Sequence, residues 1–367
     1  MFSYPVLVEL IREPGSAARL DVGDWEVVIS QARMAGLFIL LEDYLRAKDS
    51  EVCLPEKVVQ IIRAEQCVAQ KQVSSARWEA GKLVRILSEL GLKPIFLKGA
   101  AYILSGVEAA RGRLLSDIDI LVPVGALNDI ESRLVANGWR ESPLDEYDKQ
   151  YFREWMHEIP PFTHLKSNIT LDIHHTILAL TAKSNPNAEV LLLEAVPTAF
   201  EGANVLCPVD MVLHSAAHLF SEGELEMGLR GLIDLERLLL EFAGKDSNFW
   251  DRLIERAKLH QLERPLYYAL HYCKLILKLN VPGWVLQHIS DRPSMLLLKW
   301  MDFLYLRALM PDHPKADQLF TSFARLLLYI RGHYLRMPIR ILVPHLIRKS
   351  WKKRQRRKQT QQVVAQA

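Results

Sequence analysis

The sequence is poor in cysteine and has no long apolar run. Only four of its 367 residues are cysteines, and none stands in a Cys-x-x-Cys pair, which disfavours both a disulfide framework and a structural zinc site. No apolar stretch approaches the ~20 residues that a helix needs to span a bilayer, and the N-terminus lacks the basic segment and apolar core of a secretory signal. These absences predict a cytoplasmic protein without a transmembrane segment, and they leave a peripheral membrane contact open.

Acidic residues are missing from the C-terminal end. The last one is Asp317, and twelve lysines and arginines follow it, eight of them within residues 348–358. A basic run of this kind is typical of a solvated chain end, of a segment that contacts an anionic membrane, or of one that contacts nucleic acid. The apolar helical pattern before the run, with Tyr329 and Tyr334, favours the membrane over nucleic acid, because the rest of the chain is acidic and repels a duplex.

The hydrophobic pattern predicts an α+β fold that is predominantly helical. Apolar residues recur at helical spacing from Trp25 to Leu45 and from Pro55 to Gly91. Short apolar runs between glycine and proline then indicate strands, and helical spacing returns after Pro208. We therefore expect a small mixed sheet with helices on both sides of it in the chain, divided as follows: an N-terminal helical region at 1–93, an α/β core at 94–207, a C-terminal helical domain at 208–345, and a basic, disordered tail at 346–367.

Two aspartates open one of the predicted strands, residues 116–122. Because side chains alternate along a strand, Asp117 and Asp119 leave one face while Ile118 and Ile120 leave the other. Two carboxylates fixed side by side repel each other unless a cation lies between them, and hard cations such as Mg²⁺ take oxygen ligands. The strand therefore predicts a metal site.

A third acid lies further along the chain on an apolar strand. Asp172 is part of a predicted hairpin between residues 162–165 and 168–174, where an unpaired charge would be costly. If this strand lies beside the one with Asp117, three carboxylates converge. Three carboxylates can hold two Mg²⁺ or Mn²⁺ ions and so support phosphoryl chemistry.

Groups suited to phosphate precede the acidic strand. Lys98, Gly99 and Ala100 form a turn from a strand into a helix, where glycine allows close approach of the backbone and the first N–H groups of the helix can bind an anion. Arg113, four residues before Asp117, is placed either to neutralise a polyphosphate or to pair with an acid.

These motifs together resemble the DNA polymerase β-like nucleotidyltransferase superfamily, and more closely its poorly characterised bacterial branch of nucleotidyltransferase family proteins. The resemblance covers roughly residues 75–245. It is specific in the aspartate pair with the lysine-glycine turn upstream. The segments that carry it are Leu97–Ala101, Arg113, Ser116–Val122 and Leu171–His174.

The resemblance implies an enzyme that transfers a nucleoside monophosphate from an NTP to a hydroxyl or phosphate acceptor and releases pyrophosphate. Asp117 and Asp119 would bind both metal ions, and Asp172 would bind the catalytic ion and take the proton of the attacking hydroxyl. The residues implied to contact the nucleotide and its phosphates are Lys98, Gly99, Ala100, Arg113 and Ser116. At Ala100 the wider superfamily has a serine, so here one phosphate contact is missing or comes from elsewhere.

The remaining candidates are histidines, one acid and a group of aromatic residues. His174 and His175 are adjacent on a strand and point to opposite faces, and His214 and His218 lack the glutamate of a zinc-protease helix, so packing or interface roles are favoured for all four. Asp234, on an apolar helix, is expected to pair with a buried arginine or histidine. The aromatic candidates for packing, or for a base or acceptor pocket, are Trp139, Tyr147, Tyr151, Phe152 and Trp155.

Two classes of function are compatible with these sequence features. The first is the enzyme described above, whose acceptor could be a small molecule, a peptide or a protein. The alternative is a catalytically inactive nucleotidyltransferase-like scaffold that binds a partner or is recruited to a membrane. The intact acids favour the enzyme. A metal phosphohydrolase is disfavoured, because that chemistry commonly uses an adjacent His-Asp pair and the sequence has none.

Overall fold

The structure is a computed structural model that describes residues 2–46, 55–223, 225–340, 342–344 and 348. The tail predicted at 346–367 lies outside these residues, except for Arg348. The basic run at 348–358 is therefore known here from its sequence alone, again with the exception of Arg348.

Four α-helices lie in the described residues of the N-terminal part. They are α1 (Val6–Arg12), α2 (Val22–Met34), α3 (Leu41–Arg46) and α4 (Glu56–Ser88). Asp21 begins α2 with a capping box, because its side chain accepts from the backbone N–H of Asp24 while Asp24 accepts from that of Asp21. The long helix α4 follows the predicted pattern from Pro55 and ends three residues before Gly91.

The single helical pattern predicted from Trp25 to Leu45 is wrong at its centre. The chain leaves α2 after Met34 and turns at Gly36, whose φ of 65° is costly for residues other than glycine. A Cβ on Gly36 would lie 2.5 Å from Cε of Met227, and Arg230 donates to the carbonyl of Gly36 at 3.0 Å. Packing against the C-terminal helices therefore fixes a turn that the local apolar spacing does not reveal.

The central part alternates strands and helices. In chain order these are β1 (Ile95–Phe96), α5 (Lys98–Ser105), β2 (Asp117–Leu121), α6 (Leu127–Ala136), β3 (Trp139–Glu141), α7 (Glu146–Gln150), β4 (Phe162–His164), β5 (Thr170–His174), α8 (Ala188–Leu193), β6 (Val196–Pro197) and β7 (Asn204–Val205). The strands form one mixed sheet in the order β3-β4-β5-β2-β1-β7-β6. The α+β class and the mixed sheet are as predicted.

Two parallel pairs lie inside this sheet. Strand β2 pairs in parallel with β5, and β1 pairs in parallel with β7. The hairpin predicted around residues 166 and 167 is confirmed, since β4 and β5 are antiparallel neighbours. The strands β3, β6 and β7 were not predicted, because runs of two or three residues carry no readable alternation.

Seven α-helices of the C-terminal part lie wholly within the described residues. They are α9 (Pro208–Ser221), α10 (Gly228–Lys245), α11 (Phe249–Leu259), α12 (Glu263–Leu277), α13 (Gly283–His288), α14 (Met295–Ala308) and α15 (Thr321–Arg336). Helix α9 is central, since α10, α11, α12 and α15 all pack against it. In the part of the chain that the structure describes, no helix is long and apolar enough to cross a membrane.

Buried apolar side chains join these parts. One continuous cluster extends from Leu7 to Leu328, and Arg12 on α1 donates to the carbonyls of Leu275 and Ile276 at the end of α12. The division into regions at residues 93, 207 and 345 stays a prediction.

Candidate active site

The acidic face of the sheet is formed by β2 and β5. Their parallel register sets Asp117 opposite Thr170 and Asp119 opposite Asp172. Residues in register on neighbouring strands point to the same face, so the three aspartates and His174 share it. The two strands are thus neighbours, which was the condition for the three acids to converge. The opposite face carries the buried side chains of β2 and β5 that pack into the core: Ile118, Ile120, Leu171 and Ile173.

Asp119 is the innermost of the acids. Its side chain is almost fully buried, and its Oδ1 accepts from Nζ of Lys98 at 2.8 Å and lies 3.0 Å from Nε2 of His174. Burial by itself would raise the pKa of Asp119, but the charge of Lys98 and the hydrogen bond from His174 outweigh it and hold that pKa well below its usual range. Asp119 is therefore ionised at neutral pH.

His174 is a buried packing residue that also contacts Asp119. Its ring is fully buried. Because a carboxylate only accepts, the proton must lie on Nε2, which leaves Nδ1 as a buried acceptor without a partner among the described residues. Burial lowers the pKa of His174 despite the bond to Asp119, so the ring is neutral and orients Asp119.

Lys98 begins α5 in an unusual backbone conformation. Its φ of 47° lies in the left-handed region that residues other than glycine seldom adopt. Burial would lower the pKa of Lys98, but Asp119 and then Glu222 raise it above its ordinary value. The ammonium group is thus charged and already engaged with a carboxylate, and the ion pair helps to hold the strained turn.

The start of α5 carries free donors, as the phosphate prediction requires. The N–H of Ala101 donates to the carbonyl of Leu97, whereas those of Lys98, Gly99 and Ala100 have no partner among the described residues. Gly99 and Ala100 are buried. Their roles in phosphate binding stay predictions.

Gly99 has a packing role that the sequence did not reveal. A Cβ at this position would lie 2.3 Å from Cδ2 of Leu115 and 2.9 Å from Nε of Arg113. Glycine therefore lets the loop before β2 lie directly on α5, and this close approach places Arg113 beside Lys98.

Asp172 is the acid without a partner. No hydrogen bond or ion pair reaches its carboxylate from the described residues. Burial first, and then repulsion by Asp119 and Asp117, raise the pKa of Asp172 to about 7. Asp117 is more open to solvent and accepts a hydrogen bond from Oγ of Ser116 at 2.9 Å, so Ser116 is engaged with a carboxylate and its contact with a nucleotide stays a prediction.

Arg113 pairs with Asp234 rather than with Asp117. The two side chains form an ion pair in which Asp234 is buried, and Arg230 donates from Nε to the other oxygen of Asp234 at 2.9 Å. Arg230 also donates to the carbonyls of Ala109, Arg111 and Gly112. Helix α10 thereby anchors both Arg113 and the loop before β2, and the predicted pairing of Asp234 with a buried arginine is confirmed.

A small cavity of about 110 Å³ lies between α5, α9 and α10. Lys98, Arg113 and His218 line it, and the guanidinium of Arg113 lies 5.3 Å from the ring centre of Tyr102. The two cations predicted to face phosphate thus meet at one cavity next to the acidic face.

His157 and Glu158 were missed by the sequence analysis. With His174 they form the single group in the described part of the chain whose histidine and carboxylate ligand atoms all lie within 4.8 Å of one another. The rings of His157 and His174 lie 5.0 Å apart. Burial and then Asp172 raise the pKa of Glu158 to about 8. The polar segment before β4 gives no periodic signal. It reaches the site through the bridge between Glu158 and His174 and through backbone hydrogen bonds of residues 157 and 159 with residues 173, 175 and 176.

Helix α9 closes the other side of the site. Burial, and then the charge of Lys98, lower the pKa of His214 to about 3, so this ring is neutral. His218 lies 2.7 Å from Glu222 through Nδ1. Burial would raise the pKa of Glu222, but His218 holds it well below its ordinary value. His214 is a buried packing residue, as predicted, whereas His218 borders the cavity.

The aromatic candidates divide into two sets. Trp139 is buried in β3 and packs on His164 at 5.1 Å, so it is a packing residue. Tyr147 and Tyr151 each contact the ring of Trp155, and Arg348 stacks on Tyr147 at 4.2 Å. A base or acceptor pocket at this second set stays a prediction.

Comparison with known proteins identifies the family. A family model described as uncharacterised nucleotidyltransferase matches residues 21–278. The chain belongs to this nucleotidyltransferase family. No curated protein shows detectable similarity to it. The match extends over α2 to α12 and so includes both the sheet and the helices that hold Arg113 and Asp234.

The residues of this nucleotidyltransferase fit a divalent cation, with one rearrangement. Asp172 has no competing partner, and repulsion among the acids contributes to its raised pKa, which a cation would relieve. The ligand atoms of the three aspartates, all of which are described, do not lie within 4.8 Å of one another as those of His157, Glu158 and His174 do. Oδ1 of Asp119 contacts Lys98 and His174, so the three carboxylates would have to move closer together to share one cation.

Proposed function

We propose that the protein is a metal-dependent enzyme that transfers a nucleoside monophosphate from an NTP to a hydroxyl or phosphate acceptor and releases pyrophosphate. The observation that supports this most strongly is the register of β2 and β5, since it gives Asp117, Asp119 and Asp172 a common face of the sheet. Family membership supplies the reaction class. The metal, the nucleotide and the acceptor are part of the proposal.

The three acids are proposed to hold Mg²⁺ or Mn²⁺, with two ions in the complete site. When bound, the metal would neutralise the developing charge on the phosphates and make the attacking hydroxyl more acidic. Asp172 is proposed as the proton acceptor, because its carboxylate has no hydrogen-bond or ion-pair partner among the described residues and so is free to take a proton.

Lys98 and His174 are proposed to orient Asp119. Both hold the same oxygen, so one oxygen of this buried carboxylate is tied to the protein. A ligand fixed by supporting hydrogen bonds loses less freedom when the metal and substrate bind.

The phosphates are proposed to lie across the start of α5. The unpartnered N–H groups of Lys98, Gly99 and Ala100 and the charge of Arg113 suit the β- and γ-phosphates. Ser116 is proposed to contact the nucleotide beside Asp117. The acceptor could be a small molecule, a peptide or a protein, and a reaction that consumes NTP suits the cytoplasmic location expected from the cysteine usage.

Asp117→Asn is the variant that tests this proposal most cleanly. Asp119 is buried against Lys98, so an asparagine there would leave an unpaired buried cation and cost several kcal/mol of folding stability. Asp117 is more open and its neighbour is the hydroxyl of Ser116, so its replacement should leave the fold intact. Asp129→Asn on the exposed face of α6 is the matched control.

Calorimetry of each NTP with and without Mg²⁺ gives the readout. We expect the wild type and Asp129→Asn to bind an NTP only with the metal, and Asp117→Asn to bind at least tenfold more weakly at an unchanged melting temperature. Binding that is the same in EDTA, or equal for Asp117→Asn and the control, would contradict the proposal.

A further inference from the structure

Helices α14 and α15 expose an unusual amount of apolar surface. Nearly half of the large apolar side chains that are exposed in the described part of the chain lie between residues 295 and 343. Soluble monomers rarely leave contiguous apolar patches of this kind uncovered. The exposed residues in this segment are Met295, Leu296, Leu297, Trp300, Leu319, Phe320, Phe323, Leu326, Ile330, Tyr334, Ile339 and Val343.

Ring contacts join the two helices into one surface. Trp300 stacks on Phe303 at 5.6 Å, and Phe303 contacts Phe320 at 6.2 Å. From Phe320 the exposed positions continue along α15 through Phe323, Leu326, Ile330 and Tyr334, at the spacing of three or four residues that defines one face of a helix. We call the exposed residues from Trp300 to Tyr334 the apolar stripe.

The other face of α15 is used for packing. Ala324, Leu328 and Gly332 are buried, α15 packs against α14 and α9, and a Cβ on Gly332 would lie 2.4 Å from the carbonyl oxygen of Glu222. Packing of the inner face therefore fixes the orientation of α15, and as a result the apolar stripe is exposed to solvent.

Charge distinguishes this surface from an ordinary apolar patch. No acid follows Asp317 in the sequence, whereas twelve lysines and arginines do. Of those on α15, Arg325 pairs with Asp312, and Arg331 and Arg336 donate to backbone carbonyls of residues 220 and 222. The basic run at 348–358 begins twelve residues after α15 ends, so an apolar face and a strong positive charge adjoin in the chain.

We propose that the apolar stripe and the basic run bind an anionic membrane surface. Residues 349–367 are too polar to cover the stripe, since their large apolar side chains are Trp351, Val363 and Val364. A second copy of the chain seated on the same face would add a second basic run, and like charges oppose such a dimer. An anionic bilayer meets both requirements, because it accepts apolar side chains at its interface and attracts lysine and arginine.

Docking of this kind would hold the candidate site near the membrane. The backbone of α15 touches residues 222 and 223, and Glu222 is paired with His218, which borders the cavity with Lys98. The inference stands without the proposed function, because it rests on a different surface.

The test uses the full-length protein and vesicles of phosphatidylcholine, with or without phosphatidylglycerol, in a flotation assay. The stripe variant is Phe323→Ser with Leu326→Ser, and the matched control is Leu240→Ser with Leu259→Ser, two exposed leucines on α10 and α11. Melting temperatures verify that both variants fold. We expect the wild type and the control to float only with vesicles that contain phosphatidylglycerol, and their binding to weaken at high salt. We expect the stripe variant to bind these vesicles at least about tenfold more weakly.

Several results would overturn the inference. One is a wild-type protein that ignores anionic vesicles, and another is a stripe variant that binds them as well as the control does. If sedimentation showed the wild type to be a dimer and the stripe variant to be a monomer, the surface would be assigned to a second copy. Binding of a DNA duplex without binding of vesicles would assign the basic run to nucleic acid. NTP binding measured on the same variants keeps this result separate from the proposed function.

Discussion

One oxygen of Asp119 links three elements of the site, α5, β2 and β5. Lys98 and His174 both reach that oxygen from other elements. Asp172, opposite it in register, has no such support and carries a raised pKa. The acidic face therefore combines a carboxylate whose ionised form is stabilised by its neighbours, Asp119, with one whose ionised form is destabilised, Asp172. This contrast is typical of sites where an added cation completes the charge balance.

Asp172→Asn should stabilise the metal-free protein at high pH. The pKa of Asp172 is about 7 in the folded protein against 3.8 as its ordinary value, so the folded state holds the proton more tightly and its stability falls as pH rises from about 4 to about 7. Asparagine removes this loss. We expect the free energy of unfolding of the variant, relative to that of the wild type, to rise by about 1–2 kcal/mol from about pH 5 to about pH 8, allowing for solvent screening.

Urea unfolding in EDTA at the two pH values measures this gain. Added Mg²⁺ should stabilise the wild type at the higher pH and leave the variant unchanged, so that the difference narrows. If the difference in stability between the variant and the wild type were the same at both pH values, the pKa of Asp172 would not be raised in the folded protein.

The sequence predicted the acids of this face better than it predicted the residues that surround and orient them. Alternation along a strand gives the common side of Asp117 and Asp119, and one lone acid on an apolar strand indicates Asp172. The roles of His174 and Glu158 depend on strand register and on a bridge between distant segments. Those contacts have no periodic signature, and a histidine on an apolar strand is ordinarily a packing residue.

At the scale of elements, the site depends on the loop between α5 and β2. Helix α10 holds this loop from one side through Arg230 and Asp234, and α5 receives it on the other side at Gly99. The sequence indicated α5 and β2 from their glycine turn and apolar alternation. It could not indicate the loop contact, because Arg113 and Asp234 are 121 residues apart in the chain.

Gly99→Ala should displace this loop. The added methyl would lie 2.3 Å from Leu115, which is far inside van der Waals contact, so we expect a loss of about 1–3 kcal/mol in the free energy of unfolding. Combining it with Leu115→Ala should recover part of the loss, because the closest atom is then removed. Gly125→Ala, at a glycine with open space around it, is the control.

Denaturant unfolding of the four proteins gives the comparison. If Gly99→Ala were as stable as Gly125→Ala, the loop would not be held against α5 in the way described, and the placement of Arg113 would lose its support.

At the scale of the molecule, α15 links the outer helices to the site. Its glycine, Gly332, lies directly on residues 222 and 223 at the end of α9. Helix α9 in turn carries His214 and His218 beside Lys98. The sequence predicted a helical C-terminal part with most of its helices, since their apolar faces are long and regular. Which helix meets which is decided by shape, and a glycine in a helical pattern does not reveal its partner.

Gly332→Ala should weaken this contact. Its Cβ would lie 2.4 Å from a backbone oxygen that cannot move aside alone, so we expect a loss of about 2 kcal/mol or more in the free energy of unfolding. Gly244→Ala, near the end of α10 with open space around it, should be neutral or slightly stabilising. Thermal unfolding of the two variants measures the difference, and equal melting temperatures would contradict the packing described.

Whether the acidic face carries out nucleotidyl transfer can be decided from the position of the isotope that reaches the acceptor. The wild type and Asp117→Asn are incubated with Mg²⁺, a cell extract as the source of acceptor, and each NTP labelled in turn on the α- or the γ-phosphate. We predict that the wild type moves the α-label, and not the γ-label, to an acceptor and releases pyrophosphate, and that Asp117→Asn does neither. Transfer of the γ-label, or no transfer from any NTP to any acceptor, would contradict the account.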